Sequence, residues 1–99
     1  MPNLNLEDKY IKFIKSTVFA VFENIEIYIF GSRVQDKSLE YSDIDIALKG
    51  DNRLDFEKLL KLRSDFQASD FPYKVDIIDI NDIEENFYNI IKEDLYKIA

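Results

Sequence analysis

The sequence predicts an α/β (α+β) domain with elements in the order α-β-β-α-β-α. Three observations carry that prediction. Two runs, Asp43-Ile44-Asp45-Ile46 and Val75-Asp76-Ile77, alternate acidic and apolar residues, as strands with one buried face do. Elsewhere apolar residues recur at helical spacing, the pattern of helices that bury one stripe. With 99 residues, 46% hydrophobic, and only two Gly and two Pro, the chain can bury one modest core and is too apolar for disorder. A single domain over 1–99 is expected.

Residues 6–22 carry the first helical pattern, with Leu6, Tyr10, Phe13, Ile14, Thr17, Val18 and Val21 on one side. Asn5 is the expected N-cap, and Glu7 and Asp8 fall in the first turn, where the helix dipole favours acids. Lys9, Lys12 and Lys15 fall mostly on the opposite, solvated face. Ile25 to Phe30, β-branched and aromatic, is the first strand and stops at Gly31. Ser32-x-x-Gln35 has the form of a capping box opening a short helical turn. A serine there either caps the turn or presents its N–H groups to a phosphate. Residues 36–42 are polar loop, and Asp43 to Leu48 is the second strand.

Gly50-Asp51-Asn52 breaks that strand and is expected to cap a helix over 53–67, with Phe56, Leu59, Leu60 and Phe66 as its buried stripe. Arg63 lies in the same arc, so its stem should run along apolar surface while its charge reaches the edge. After a linker over 68–72, Tyr73 to Ile80 reads as the third strand. Asp79 has parity opposite to Asp76, which puts it at the strand end or on the other face. Asn81 with Glu84 is expected to cap a final helix carrying Ile83, Phe87, Ile90, Ile91, Leu95 and Ile98.

Composition narrows the chemistry. Neither Cys nor His occurs, so thiolate and imidazole chemistry are out, and a general base must be a carboxylate, Lys, Tyr or water. The formal net charge is −7, which disfavours direct nucleic-acid binding, because that affinity comes mainly from bases neutralising phosphates. The first ten residues lack the basic and apolar regions of a secretory signal. No apolar run approaches the roughly 20 residues of a membrane span. A soluble, cytoplasmic protein is expected.

The three acids are the candidate site. Asp43 and Asp45 share one strand face, roughly 6–7 Å apart by the rise per residue, and Asp76 stands on a face of a later strand. Gly31-Ser32-Arg33, then Ser42-Asp43-Ile44-Asp45-Ile46, then Val75-Asp76-Ile77 resembles the nucleotidyltransferase superfamily of the DNA polymerase β type. The nearest branch is its minimal one, the MNT domains of antitoxins encoded beside HEPN toxins, and the resemblance covers nearly the whole chain.

That resemblance implies a small mixed sheet with helices mainly on one face. It implies AMP transfer from ATP to a hydroxyl, with a tyrosine of a partner HEPN toxin as acceptor, and so a hetero-oligomer. It assigns Asp43, Asp45 and Asp76 as catalytic residues and ligands of Mg2+, and Gly31, Ser32 and Arg33 as the residues that bind the nucleotide phosphates. Asp36 departs from the pattern by standing where the family commonly has Gly, and an acid there would repel triphosphate if it faced the site. The alternative is an antitoxin that silences its HEPN partner by occlusion alone.

Overall fold

The computed structural model describes residues 4–31 and 43–99. Helix α1 (Asp8–Phe19) is followed by strands β1 (Glu26–Phe30) and β2 (Ile44–Lys49), helix α2 (Phe56–Ala68) and strand β3 (Val75–Asp79). A short 3-10 turn, helix α3 (Glu85–Ile91), a second 3-10 turn and strand β4 (Tyr96–Lys97) complete the described fold. The described strands form one mixed sheet in the order β3-β2-β1-β4. β1 runs antiparallel to both β2 and β4, and β2 runs parallel to β3.

The main core lies on one face of this sheet. Ile27, Ile29, Ile44, Ile46, Leu48 and Ile77 point into it and meet Ile14 and Val18 of α1 and Leu59, Leu62 and Phe66 of α2. Ile44 and Ile46 are fully buried, so the parity of β2 is fixed, since a one-residue slip would send both to solvent. A helix that must cross from β2 to a parallel β3 supplies the cover, because parallel neighbours require such a crossover. Phe13, Phe66 and Phe71 join in a ring cluster with Tyr10 and Tyr73. The cluster anchors the segment that leads into β3.

The chain connections are also fixed locally. Asn24 takes a left-handed φ of 53°, a conformation that Asn tolerates better than most residues, and turns the chain from α1 into β1. Asp79, buried to 6% exposure, accepts bonds from the backbone N–H of Leu54 at 2.7 Å and of Asn81 at 3.0 Å. It thereby ties the β2–α2 loop to the end of β3. Its place at the strand end is the one its parity suggested.

Several expectations are corrected. α1 is capped at Glu7, not Asn5, and ends at Phe19. α2 begins at Phe56 with Asp55 as N-cap, whose carboxylate accepts from the N–H of Glu57 and Lys58, so Gly50-Asp51-Asn52 is loop. Its buried stripe is Leu59, Leu62 and Phe66, while Phe56 and Leu60 are exposed to 66% and 47%. Arg63 donates to the carbonyl of Ile77 at 3.1 Å, so its charge does reach the sheet edge.

The third strand is shorter than expected, and the final helix stops at Ile91. Beyond it the backbone of Ile98 donates to the carbonyl of Ile27, and Ile27 donates to that of Ala99, which makes the tail a strand. Asn81 does not cap α3; its side chain donates to the carbonyls of Gly50 and Asn52.

Candidate active site

The second face of the sheet carries the acids. Because Ile44, Ile46 and Ile77 are drawn into the core, Asp43, Asp45 and Asp76 must face the other way. Half of that face is closed by a small cluster in which Phe30, Ala47 and Ile91 pack with Tyr28, Ile78, Ile80, Ile83 and Leu95. Ile91 comes from α3, so that helix roofs one end of the second face. At the other end, where the acids stand, Asp43 and Asp76 are exposed and Asp45 is half-buried.

Strand pairing does what sequence spacing could not. In the parallel β2–β3 ladder Asp45 lies directly opposite Asp76, with backbones about 4.8 Å apart by the standard strand spacing. On the other side Asp45 pairs with Phe30, the residue before Gly31. Asp45 is therefore the centre of the group, between Asp76 on one neighbour and the Gly31 turn on the other, with Asp43 two residues before it.

Gly31 leaves β1 with a left-handed φ of 82°. The Asp45 carboxylate rests against its Cα, and a Cβ built there would overlap Asp45 Oδ2 and stand 3.3 Å from Cγ. Only glycine accommodates both the φ and the approach. Ser32 and Arg33, the other two expected phosphate-binding residues, lie outside the described residues, as does Asp36.

Electrostatics agrees with the geometry. Burial pushes the Asp45 carboxyl above its ordinary value, and the negative charges of Asp76 and then Asp43 push it further. Asp76 and Asp43 thus both bear on Asp45. Among the described residues no group of three or more acidic side chains comes together as an ion site, so the carboxylates present could supply only part of a cation's shell. An incomplete set suits magnesium, which usually takes one or two carboxylates and fills the rest of its shell with water and substrate phosphates. The donor set is all oxygen, the chemistry of a hard divalent cation. A groove of about 640 Å³ runs along β3, lined among others by Arg63, Phe71 and Asp76. Among the described residues no helix is long and apolar enough to cross a membrane.

A family model described as "Polymerase beta, Nucleotidyltransferase" matches residues 12–96. A relative from Haemophilus influenzae, described as a probable protein adenylyltransferase MntA, is 31% identical over 90 residues, which are 91% of this chain and 79% of the relative. Two solved structures share the fold. One is a toxin–antitoxin with AMP-PNP (TM-score 0.76, 23% identity, 90% of this chain and 72% of that chain). The other is a tri-AMPylated Shewanella oneidensis HEPN toxin in complex with MNT antitoxin (TM-score 0.73, 21% identity, 95% and 72%). The matched span takes in the Gly31 turn and both acid-bearing strands that follow it, and this chain belongs to the polymerase β nucleotidyltransferase family.

Proposed function

We propose that the chain is a magnesium-dependent protein adenylyltransferase that moves AMP from ATP to a tyrosine hydroxyl of a partner HEPN toxin, and by doing so acts as its antitoxin. The observation that carries this reading is the register that sets Asp45 opposite Asp76 beside the Gly31 turn. The adenylyltransferase relative and the toxin–antitoxin neighbours support AMP transfer to a protein and a HEPN toxin as partner.

In this reading the acceptor oxygen forms a bond to the α-phosphorus of ATP. The bond from that phosphorus to the bridging oxygen breaks, and pyrophosphate leaves. Asp43 and Asp45 would hold the divalent ion and Asp76 would complete its site, while Asp76 also takes the proton of the attacking hydroxyl. With no His in the chain, a carboxylate is the natural base for that step. Ser32 and the backbone at Gly31-Ser32 hold the β- and γ-phosphates, with Arg33 nearby. Magnesium, when bound, offsets charge on the attacking and leaving oxygens.

The test is to mix the purified protein with ATP, magnesium and its cognate HEPN toxin and to weigh the toxin by mass spectrometry. Addition of one or more AMP units, lost in Asp43→Asn, is the expected result. No addition under any divalent metal sinks the enzymatic reading. Silencing of the toxin that survives Asp43→Asn with Asp45→Asn in the absence of ATP identifies occlusion instead.

A further inference from the structure

Gly31 invites an account through phosphate: a residue without a side chain lets an anion come close to the backbone. The structure shows something else already close to it. The Asp45 carboxylate occupies the space an L side chain would need, with Asp45 Cγ 3.3 Å and Asp45 Cβ 3.6 Å from the position of the missing Cβ. On the opposite side of Asp45 stands Asp76, its ladder partner. The Asp45 carboxylate could lie toward a bare glycine, toward a like charge or outward into solvent, and it lies against the glycine.

We propose that Gly31 is a positioning residue for Asp45: its missing side chain forms the seat that holds the Asp45 carboxylate back from Asp76 and keeps the space between the two acids open for a cation. The inference rests on the functional reading above in giving that space a use, but the seat itself is a matter of packing. A methyl group at position 31 leaves the carboxylate only the way toward Asp76 or outward into solvent. Either movement takes it from the geometry in which it faces Asp76 across the ladder. Ile44 and Ile46, fully buried on both sides of it in sequence, prevent the backbone of β2 from yielding.

Two measurements test the seat. The first is a thermal-melting cycle in chelator with Gly31→Ala, Asp45→Ala and the double variant, since contacting residues show an interaction term that independent ones lack. The left-handed φ penalises alanine in both backgrounds, whereas the overlap with Asp45 exists only in one. The expected result is that Gly31→Ala lowers Tm by several degrees less when Asp45 is already Ala. Should Gly31→Ala alone fail to fold, recovery of folding in the double variant has the same meaning. An equal loss in both backgrounds, or a double variant that also fails to fold, overturns the proposal.

The second measurement is transfer kinetics. A residue acting through Asp45 lowers kcat sharply, toward the loss that Asp45→Ala causes, and leaves KM for ATP within about threefold of wild type. A raised KM with unchanged kcat would place Gly31 with the phosphates alone and overturn the seat as a catalytic device. Transfer that survives Asp45→Ala refutes the functional reading, while the melting cycle still decides whether the seat exists.

Discussion

Replacing Asp45 by Asn should leave the metal-free protein as stable as before or more so, and should abolish its stabilisation by magnesium. Burial first, then Asp76 and Asp43, push the Asp45 carboxyl above its unfolded value near 3.8. A carboxyl raised in the folded state binds its proton more tightly there, so ionising it opposes folding. That cost is absent below the unfolded value, grows between the two, and is complete above the folded one. Two charges at this separation repel by about 1 kcal/mol in water. Asp45 is half-buried and partly screened, so the gain from an uncharged amide lies between zero and about 1 kcal/mol, and the rise in Tm is at most roughly 4–8 °C. Magnesium at 100 times its Kd would add about 2.7 kcal/mol to the wild type, roughly 10–20 °C, and nothing to the variant. Circular-dichroism melts of both proteins, in chelator and in magnesium, read all four values. A fall of several degrees for Asp45→Asn in chelator would show the carboxylate to be a structural hydrogen-bond acceptor, and the metal-site reading of β2 would have to be given up.

The other acids should behave differently. Asp76→Asn should slow transfer by about 10²–10⁴-fold, the usual contribution of a general base, while equilibrium dialysis finds ATP binding largely intact. Asp79→Ala should destabilise in any buffer, because it orphans the N–H groups of Leu54 and Asn81 at about 1–3 kcal/mol each; urea unfolding gives the value. Leu62→Ala, in the buried stripe of α2, should cost about 2–5 kcal/mol, whereas Phe56→Ser on the same helix should stay within about 0.5 kcal/mol. Magnesium affinity measured by calorimetry should begin to fall, as pH is lowered, above the range of an ordinary aspartate, because protons compete for the raised Asp45 carboxyl.

The strands were legible because isoleucine parity leaves a strand one choice of buried face. The helices were legible only as helices, since spacing does not say where around the axis the core lies. Leu60 is about 100° round from Leu59, far enough to leave the core that Leu59, Leu62 and Phe66 share. Apolar residues near each other in the pattern therefore ended on opposite sides of the boundary. At the tail the pattern misled outright. Ile91, Leu95 and Ile98 have helical spacing, yet the chain past Ile91 is claimed by the open edge of β1. Tyr96–Lys97 carries no strand signal of its own, because that strand exists only by pairing with a partner far back in sequence.

The candidate site divides in the same way. That Asp43 and Asp45 share a face follows from alternation, and that Asp76 faces outward follows from its own strand. Whether Asp76 meets Asp45 depends on the direction and register of β3 against β2, and neither is written in either strand alone. The crossover through α2 makes the pair parallel, and the common burial of Ile46 and Ile77, which face each other in the ladder, sets the register. The same apolar residues that hold the sheet together thus deliver two like charges to one place, and burial makes that cost greatest at Asp45. A protein under no demand at this spot could relieve the strain with one amide. Keeping three carboxylates on this face, with a glycine hollowed out beneath the central one, is the arrangement that the proposed divalent-ion site would call for.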